Sequence, residues 1–523
     1  MRQAVIIGLD GLSWNVLSIL INRDVVPNIN FLRRGGASSE LRTIIPPVTI
    51  PAWTSLASGV NPGKHGVYSF TMPTRDYGSR LTTYKDVKYP RIHEILTLEG
   101  LSSVVINLPL SYPPLTHNGI MISDWLYPKL ETFPSTAQDM TLNYLPMDHR
   151  WFESQNTSDY IQSLFEGLSS RLIAIKECFS KTKWNLFFVV FSETDFLLHK
   201  IYDDIISGRG YAREAYKIFK MIDEFIGWAV KNTKDDSIIL LVSDHGFDKY
   251  EYFININEIL SQKGIIKFPI INRKEPSQKT SGYYLSNKKV IHVPKFIYSR
   301  IMKTKFRKEA RLIFRTLFGS DAVSSYKRGY DFCSSSAFMF NSTHFGIYIN
   351  TKDLFNNGLI QEDEVPKIMQ SLINLLNNMK NFETKEKIFK RIYSREDIFQ
   401  GPYTREFPHI ILLPKKRYWL HHGMAEKIIA KKSNINHSLM GIFIAYGENI
   451  ANKDNLKNLS ILDIAPTTLQ YLKLPIPNDT DGKVLLDIFK EGSDVRERPI
   501  RKVNYLERWS IIRKTKLLST KSH

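Results

Sequence analysis

Ala4-Val5-Ile6-Ile7-Gly8-Leu9-Asp10-Gly11 carries the pattern from which the architecture can be inferred. A short, nearly all-apolar run is how a strand buried on both faces of a parallel sheet reads. It ends in a carboxylate, and ligands in open α/β sheets sit at the carboxyl ends of strands. The signature recurs twice. Trp184 to Phe191 runs into Ser192-Glu193-Thr194-Asp195-Phe196-Leu197-Leu198-His199, and Ser237 to Val242 runs into Ser243-Asp244-His245-Gly246. Between strands lie helical spacings, such as Ile161, Leu164, Phe165, Leu168, Leu172 and Ile175. Strand and helix in alternation predict an α/β fold with a doubly wound, mostly parallel sheet.

Ala37 to Thr43 and Ser102 to Asn107 read as further strands, and Ile442 to Ala445 as a late one. After about Ile256 the rhythm loosens into a stretch rich in Lys, Ser, Tyr and Asn. The expected division is therefore a first part of the core at 1–256, an inserted cap at 257–420, a returning part at 421–490 and a basic tail at 491–523. Trp509, Ile511 and Ile512 are the expected docking points of that tail.

The stretch Val48-Thr49-Ile50-Pro51-Ala52-Trp53 places a hydroxyl at a helix mouth. Pro51 suits a first turn, which has no use for its missing N–H. Thr49 is expected just before the helix, beside unpaired backbone N–H groups and the positive end of the dipole, a ready anion site. Alone, such a residue reads as an ordinary helix cap. The strand-end acids change its meaning. Asp195 and His199, four apart, share a helix face. Asp244 and His245 reach one ion if the chain turns sharply, as Gly246 permits. Mixed Asp and His donors suit zinc or manganese better than calcium or magnesium. A bound divalent ion makes a weakly acidic hydroxyl a competent nucleophile.

Composition narrows the class. Lys and Arg number 71 against 52 Asp and Glu, a net charge of +19, which favours anionic partners such as phosphorylated substrates or an acidic membrane. A basic amphipathic helix at 298–318 is an expected membrane-surface contact. No nucleic-acid module is visible. Two cysteines, Cys178 and Cys333, make no metal-binding pair and no disulfide framework. The expected location is cytoplasmic, with neither a signal peptide nor a spanning segment.

Together, Ile7-Gly8-Leu9-Asp10-Gly11, Thr49-Ile50-Pro51, Asn61-Pro62-Gly63-Lys64-His65-Gly66, Asp195-x-x-x-His199, Ser243-Asp244-His245-Gly246 and Asp463-Ile464-Ala465-Pro466-Thr467 resemble the alkaline phosphatase superfamily, most closely its type I phosphodiesterase/nucleotide pyrophosphatase branch. The resemblance covers roughly residues 1–256 and 430–490. It implies an alkaline phosphatase-like core carrying two divalent ions, zinc first and manganese second. Asp195, His199 and His437 would hold one. Asp10, Asp244 and His245, with Thr49, would hold the other. Thr49 would attack phosphorus, giving a phospho-threonine that water hydrolyses, on a small-molecule or lipid-linked phosphorylated substrate. His421 and His422 compete with His437, which is preferred because a strand follows it.

The chain also departs from that branch. Phe70 stands where its nucleotide pyrophosphatases place a phosphate-binding Asn, an oxyanion donor of a kind that typically contributes about 3 kcal/mol. The Thr49 backbone N–H, or a cap Lys or Arg, could substitute. Two other readings stay open: a phosphotransferase or phosphoglycerate mutase-like enzyme, and a non-catalytic protein docking on a polyanion or membrane surface.

Overall fold

The computed structural model of the chain describes residues 2–114, 117–127, 129–146, 156–267, 330–425 and 427–519. The 298–318 segment lies outside the described residues. Among those described, no helix is long and apolar enough to cross a membrane.

The strands that organise the molecule are β1 (Gln3–Leu9), β2 (Ala37–Arg42), β3 (Ser103–Ile106), β4 (Gly119–Ile122), β5 (Thr132–Phe133), β6 (Leu186–Phe191), β7 (Ser237–Val242), β8 (Gly246–Asn255), β9 (Ala337–Phe338), β10 (Gly346–Ile349), β11 (Phe389–Ser394), β12 (Ile410–Pro414), β13 (Tyr418–His421), β14 (Ile429–Ser438), β15 (Met440–Tyr446) and β16 (Lys453–Asp454). Nine form one sheet in the order β16-β2-β15-β7-β1-β6-β3-β4-β5. Its centre, β7-β1-β6-β3-β4, is parallel throughout. β15 runs antiparallel to both β2 and β7.

β1 shows why an unbroken apolar run is needed at the centre. Val5, Ile7 and Leu9 enter the core on one face, and Ala4 and Ile6 the core on the other. The period of two that usually separates inside from outside here separates two insides. Helices α1 (Trp14–Asn22) and α2 (Pro27–Gly35) cover the sheet, as do α3 (Thr49–Ser58), α4 (Ile92–Leu98), α5 (Thr157–Lys181), α6 (Glu193–Ser207) and α7 (Ala212–Asn232). Trp53 of α3, fully buried, lies over Gly8 of β1, where an added Cβ would run into the indole ring. That close approach seats α3 on the central strand.

β8 leaves the core and pairs with β13 and β14 in a three-stranded sheet. A four-stranded sheet, β9-β10-β12-β11, lies beyond it, and both share a third hydrophobic core. Near the C-terminus, helices α8 (Ile464–Tyr471) and α9 (Tyr505–Ser519) return to the main sheet's side. Trp509 of α9 is buried and donates to Glu94 Oε1 at 3.1 Å. Ile511 is 61% exposed and Ile512 half-buried, so of the three expected docking points Trp509 is the buried one.

Candidate active site

All three central strands end on the same side of the sheet, because they are parallel. Asp10 follows β1, Asp244 and His245 follow β7, and α6 begins two residues after β6, carrying Asp195 and His199. The fourth contribution comes from a distant strand. β14 is antiparallel to β8 with His437 opposite Phe247, which sets His437 beside His245. The two imidazoles stack with centroids 3.7 Å apart.

His421 pairs with Asn255 at the far end of β8. Nine residues of strand separate Asn255 from Gly246, or about 30 Å at 3.3 Å per residue. His421 Nδ1 contacts Asn255 Oδ1 at 2.9 Å, and His422 Nδ1 contacts Ser342 Oγ at 2.8 Å.

Two donor triads result: Asp195, His199 and His437, and Asp10, Asp244 and His245. Within each, one donor atom per residue lies within 4.8 Å of the others. Asp195 is 3.2 Å from His437 Nε2 and 3.6 Å from His199 Nε2. His245 Nε2 is 3.3 Å from Asp244 and 3.7 Å from Asp10. The Thr49 hydroxyl is 3.2 Å from His245 Nε2. Thr49, 3% exposed, is the first residue of α3 rather than its cap, which is Val48. The expectation placed it one residue outside. Inside the first turn it keeps the same setting, since the opening N–H groups of a helix have no partner within it.

Gly246 does not turn the chain as its sequence context suggests. It adopts no positive φ; an added Cβ would collide with the Met440 carbonyl as β8 passes β15. The residue that does use glycine's freedom is Gly11, at φ +70, whose N–H donates to Asp244 Oδ1 at 3.2 Å.

Sequence reading misses what aims the imidazoles. His437 Nδ1 donates to the Pro47 carbonyl at 2.9 Å, and His245 Nδ1 to the Gly246 carbonyl at 3.2 Å. Each leaves Nε2 turned into the site, the usual way a ligating imidazole is held. Pro46-Pro47 reads in sequence only as extended chain, and a carbonyl leaves no composition signal.

Also missed is a buried ion pair, Arg171 of α5 with Glu193 of α6, 4% and 1% exposed. Its trace was a cation set within the apolar spacing of α5. Glu193 opens the helix that carries Asp195, so the pair fixes that helix start. Arg171→Ala should cost about 3–5 kcal/mol, because it strands a buried carboxylate. Chemical denaturation reads the loss directly.

The electrostatics are those of too many acids in one dry place. Burial first, then Asp244 and Asp195, push the Asp10 carboxyl well above its ordinary value. Burial likewise pushes Asp244 up to about 7. Burial also works to raise Asp195, but His199 and His437 hold it below the usual carboxylate range. Asp10 Oδ1 and Asp244 Oδ2 are buried without a hydrogen-bond partner. Crowded carboxylates, orphaned oxygens and imidazoles with Nε2 turned inward fit divalent cations: oxygen and nitrogen donors only, three to a group.

A mostly parallel α/β sheet with this acid–imidazole cluster at its carboxyl end is the architecture of an alkaline phosphatase-like enzyme. The chain belongs to the type I phosphodiesterase/nucleotide pyrophosphatase family, whose model matches residues 4–437, and so to a group of phosphoester hydrolases. Murine ectonucleotide pyrophosphatase/phosphodiesterase 5 is similar in structure, with TM-score 0.50 and 13% identity over 93% of this chain and 100% of that one. Its human counterpart gives the same TM-score, identity and coverage. Phosphonoacetate hydrolase from Sinorhizobium meliloti, solved with phosphonoformate, matches with TM-score 0.51 and 12% identity, covering 90% of this chain and 96% of that one. At such identities the likeness concerns the fold. Among curated proteins none matches the sequence significantly.

Proposed function

We propose that this chain hydrolyses phosphoric diesters or pyrophosphates, with Thr49 as the nucleophile and two divalent cations, zinc first among candidates, as cofactors. One observation carries the reading: a buried hydroxyl at a helix N-terminus, 3.2 Å from His245 Nε2, stands against two acid–imidazole triads. Asp195, His199 and His437 would hold one cation, and Asp10, Asp244, His245 and Thr49 the other. When bound, such cations favour the threonine alkoxide and offset charge on the phosphoryl group.

The chain's own groups do the rest. Thr49 Oγ1 gives its proton to solvent and attacks phosphorus, and the P–O bond on the far side breaks, its oxygen leaving to be protonated by water. The phosphoryl group, still bearing its other substituent, rests on Thr49 until water releases it as the monoester and restores the hydroxyl. The free N–H groups of the first α3 turn face the phosphoryl oxygens, a role suited to a helix start. Pro47 and Gly246 keep their imidazoles aimed through both halves of the cycle.

Metal analysis alongside hydrolysis of bis-p-nitrophenyl phosphate tests the assignment. His437→Ala should lower bound metal from two equivalents to one, whereas His421→Ala and His422→Ala should retain two. Loss of metal in either of these two variants, with His437→Ala unaffected, would reverse the choice of ligand. Trapping a phosphoryl group on Thr49 by acid quench and mass spectrometry tests the covalent step.

A further inference from the structure

We propose that Phe70, Trp125 and Leu126 form a subsite that receives an apolar alkyl or aryl group of a phosphodiester; this rests on the reading of Thr49 as the attacking group. The placement follows from the sheet. β3 and β4 are parallel to β1 and β6, so the segments after Ile106 and Ile122 emerge beside the acid–imidazole cluster. Asn107, the first residue beyond β3, fixes them there. Its side-chain amide donates to the Val190 carbonyl at 2.9 Å and to Ser192 Oγ at 3.3 Å, while its Oδ1 accepts from the Trp125 N–H at 3.1 Å. Trp125 is thereby tied to the end of β6, where the helix bearing Asp195 begins.

The rings link a neighbour of Asp195 to the cluster beside α3. Trp125 packs edge-on against Phe196, next to Asp195, at 5.5 Å between centroids. It also meets Phe70, at 6.2 Å between centroids. Phe70 and Leu126 pack on the small core that contains Ile50, next to Thr49. All three wall residues are only partly buried, so each keeps some apolar surface uncovered. Their one polar side-chain group is the Trp125 indole N–H, which is buried and has no hydrogen-bond partner. Reading a nucleobase edge calls for both donors and acceptors; seating a hydrocarbon calls for neither.

A series of p-nitrophenyl alkyl phosphodiesters with methyl, butyl and octyl groups releases the same leaving group from the same chemistry. Each methylene the wall buries should raise kcat/KM about fourfold at most. We expect at least a tenfold rise from methyl to octyl, and an octyl preference over the p-nitrophenyl ester of thymidine 5′-monophosphate. Phe70→Ala and, independently, Leu126→Gln should each cut the octyl-to-methyl ratio severalfold; two positions guard against one variant failing to fold. A flat series in the wild type, an unchanged ratio in the folded variants, or a tenfold preference for the thymidine ester would overturn the subsite. Calorimetry on zinc-loaded Thr49→Ala separates this from the nucleophile assignment. Methyl octyl phosphate should bind at least tenfold tighter than dimethyl phosphate whether or not Thr49 attacks, and equal affinities count against the wall alone. Hydrolysis by Thr49→Ala at the wild-type rate counts against the nucleophile alone.

Discussion

Thr49→Ala is expected to lower kcat/KM for bis-p-nitrophenyl phosphate by about 10,000-fold, roughly 5 kcal/mol of lost transition-state stabilisation. The size follows from what the residue does in the proposed reaction. A hydroxyl that merely helped hold a cation would be replaceable by water at small loss, while the attacking atom has no substitute already in line with phosphorus. Thr49→Ser separates the roles. It keeps the oxygen on the same first-turn position and should retain activity within about tenfold of wild type, the variant losing only the methyl group that restricts χ1. Both variants should bind two metal equivalents and unfold at nearly the wild-type temperature, since α3 is held by Trp53 against β1 and not by Thr49. Equal rates for Thr49→Ala and wild type would remove Thr49 from the chemistry.

How much of this is legible in the chain depends on the distance over which each part is decided. Asp10, Asp195 and Asp244 can be found because a central parallel strand must be apolar on both faces, and acids within a few residues of the end of such a run lie at the sheet's carboxyl end; after Phe191 there are two, Glu193 and Asp195. Thr49 is legible through Pro51, a local signal. Its position inside the helix rather than before it turns on one residue of backbone geometry, below what composition resolves. His437 is harder. Three histidines compete, and the choice depends on β8 and β14 pairing with Phe247 opposite His437, a register set across nearly two hundred residues of chain. The Pro47 and Gly246 carbonyls that aim the imidazoles leave no trace, because every residue has a carbonyl. Gly246 misleads for a related reason: glycine marks either a special φ or a close approach, and only the neighbouring Met440 carbonyl decides between them.

Removing the metals should destabilise the fold as well as stop the reaction, and Asp244→Asn should show why. Three buried carboxylates lie close enough to repel one another, and two of them, Asp10 and Asp244, are driven toward neutrality chiefly by burial and then by that repulsion. A cation that binds the folded chain and not the unfolded one adds about 4 kcal/mol per site at a thousandfold excess over its Kd. Zinc added to chelator-treated wild type should therefore raise Tm by several degrees, in step with recovered activity. Asp244→Asn keeps the oxygen that accepts from the Gly11 N–H but removes one of the crowded charges. The metal-free variant should unfold at or above the temperature of metal-free wild type. Its gain on adding zinc should be about half the wild-type gain, with one metal equivalent bound and hydrolysis reduced at least about 1,000-fold. The opposing signs make the test exacting, since a substitution that only damaged packing would lower Tm in both states. If Asp244→Asn gained as much from zinc as wild type, the site around Asp10 and His245 would not be where the cation binds.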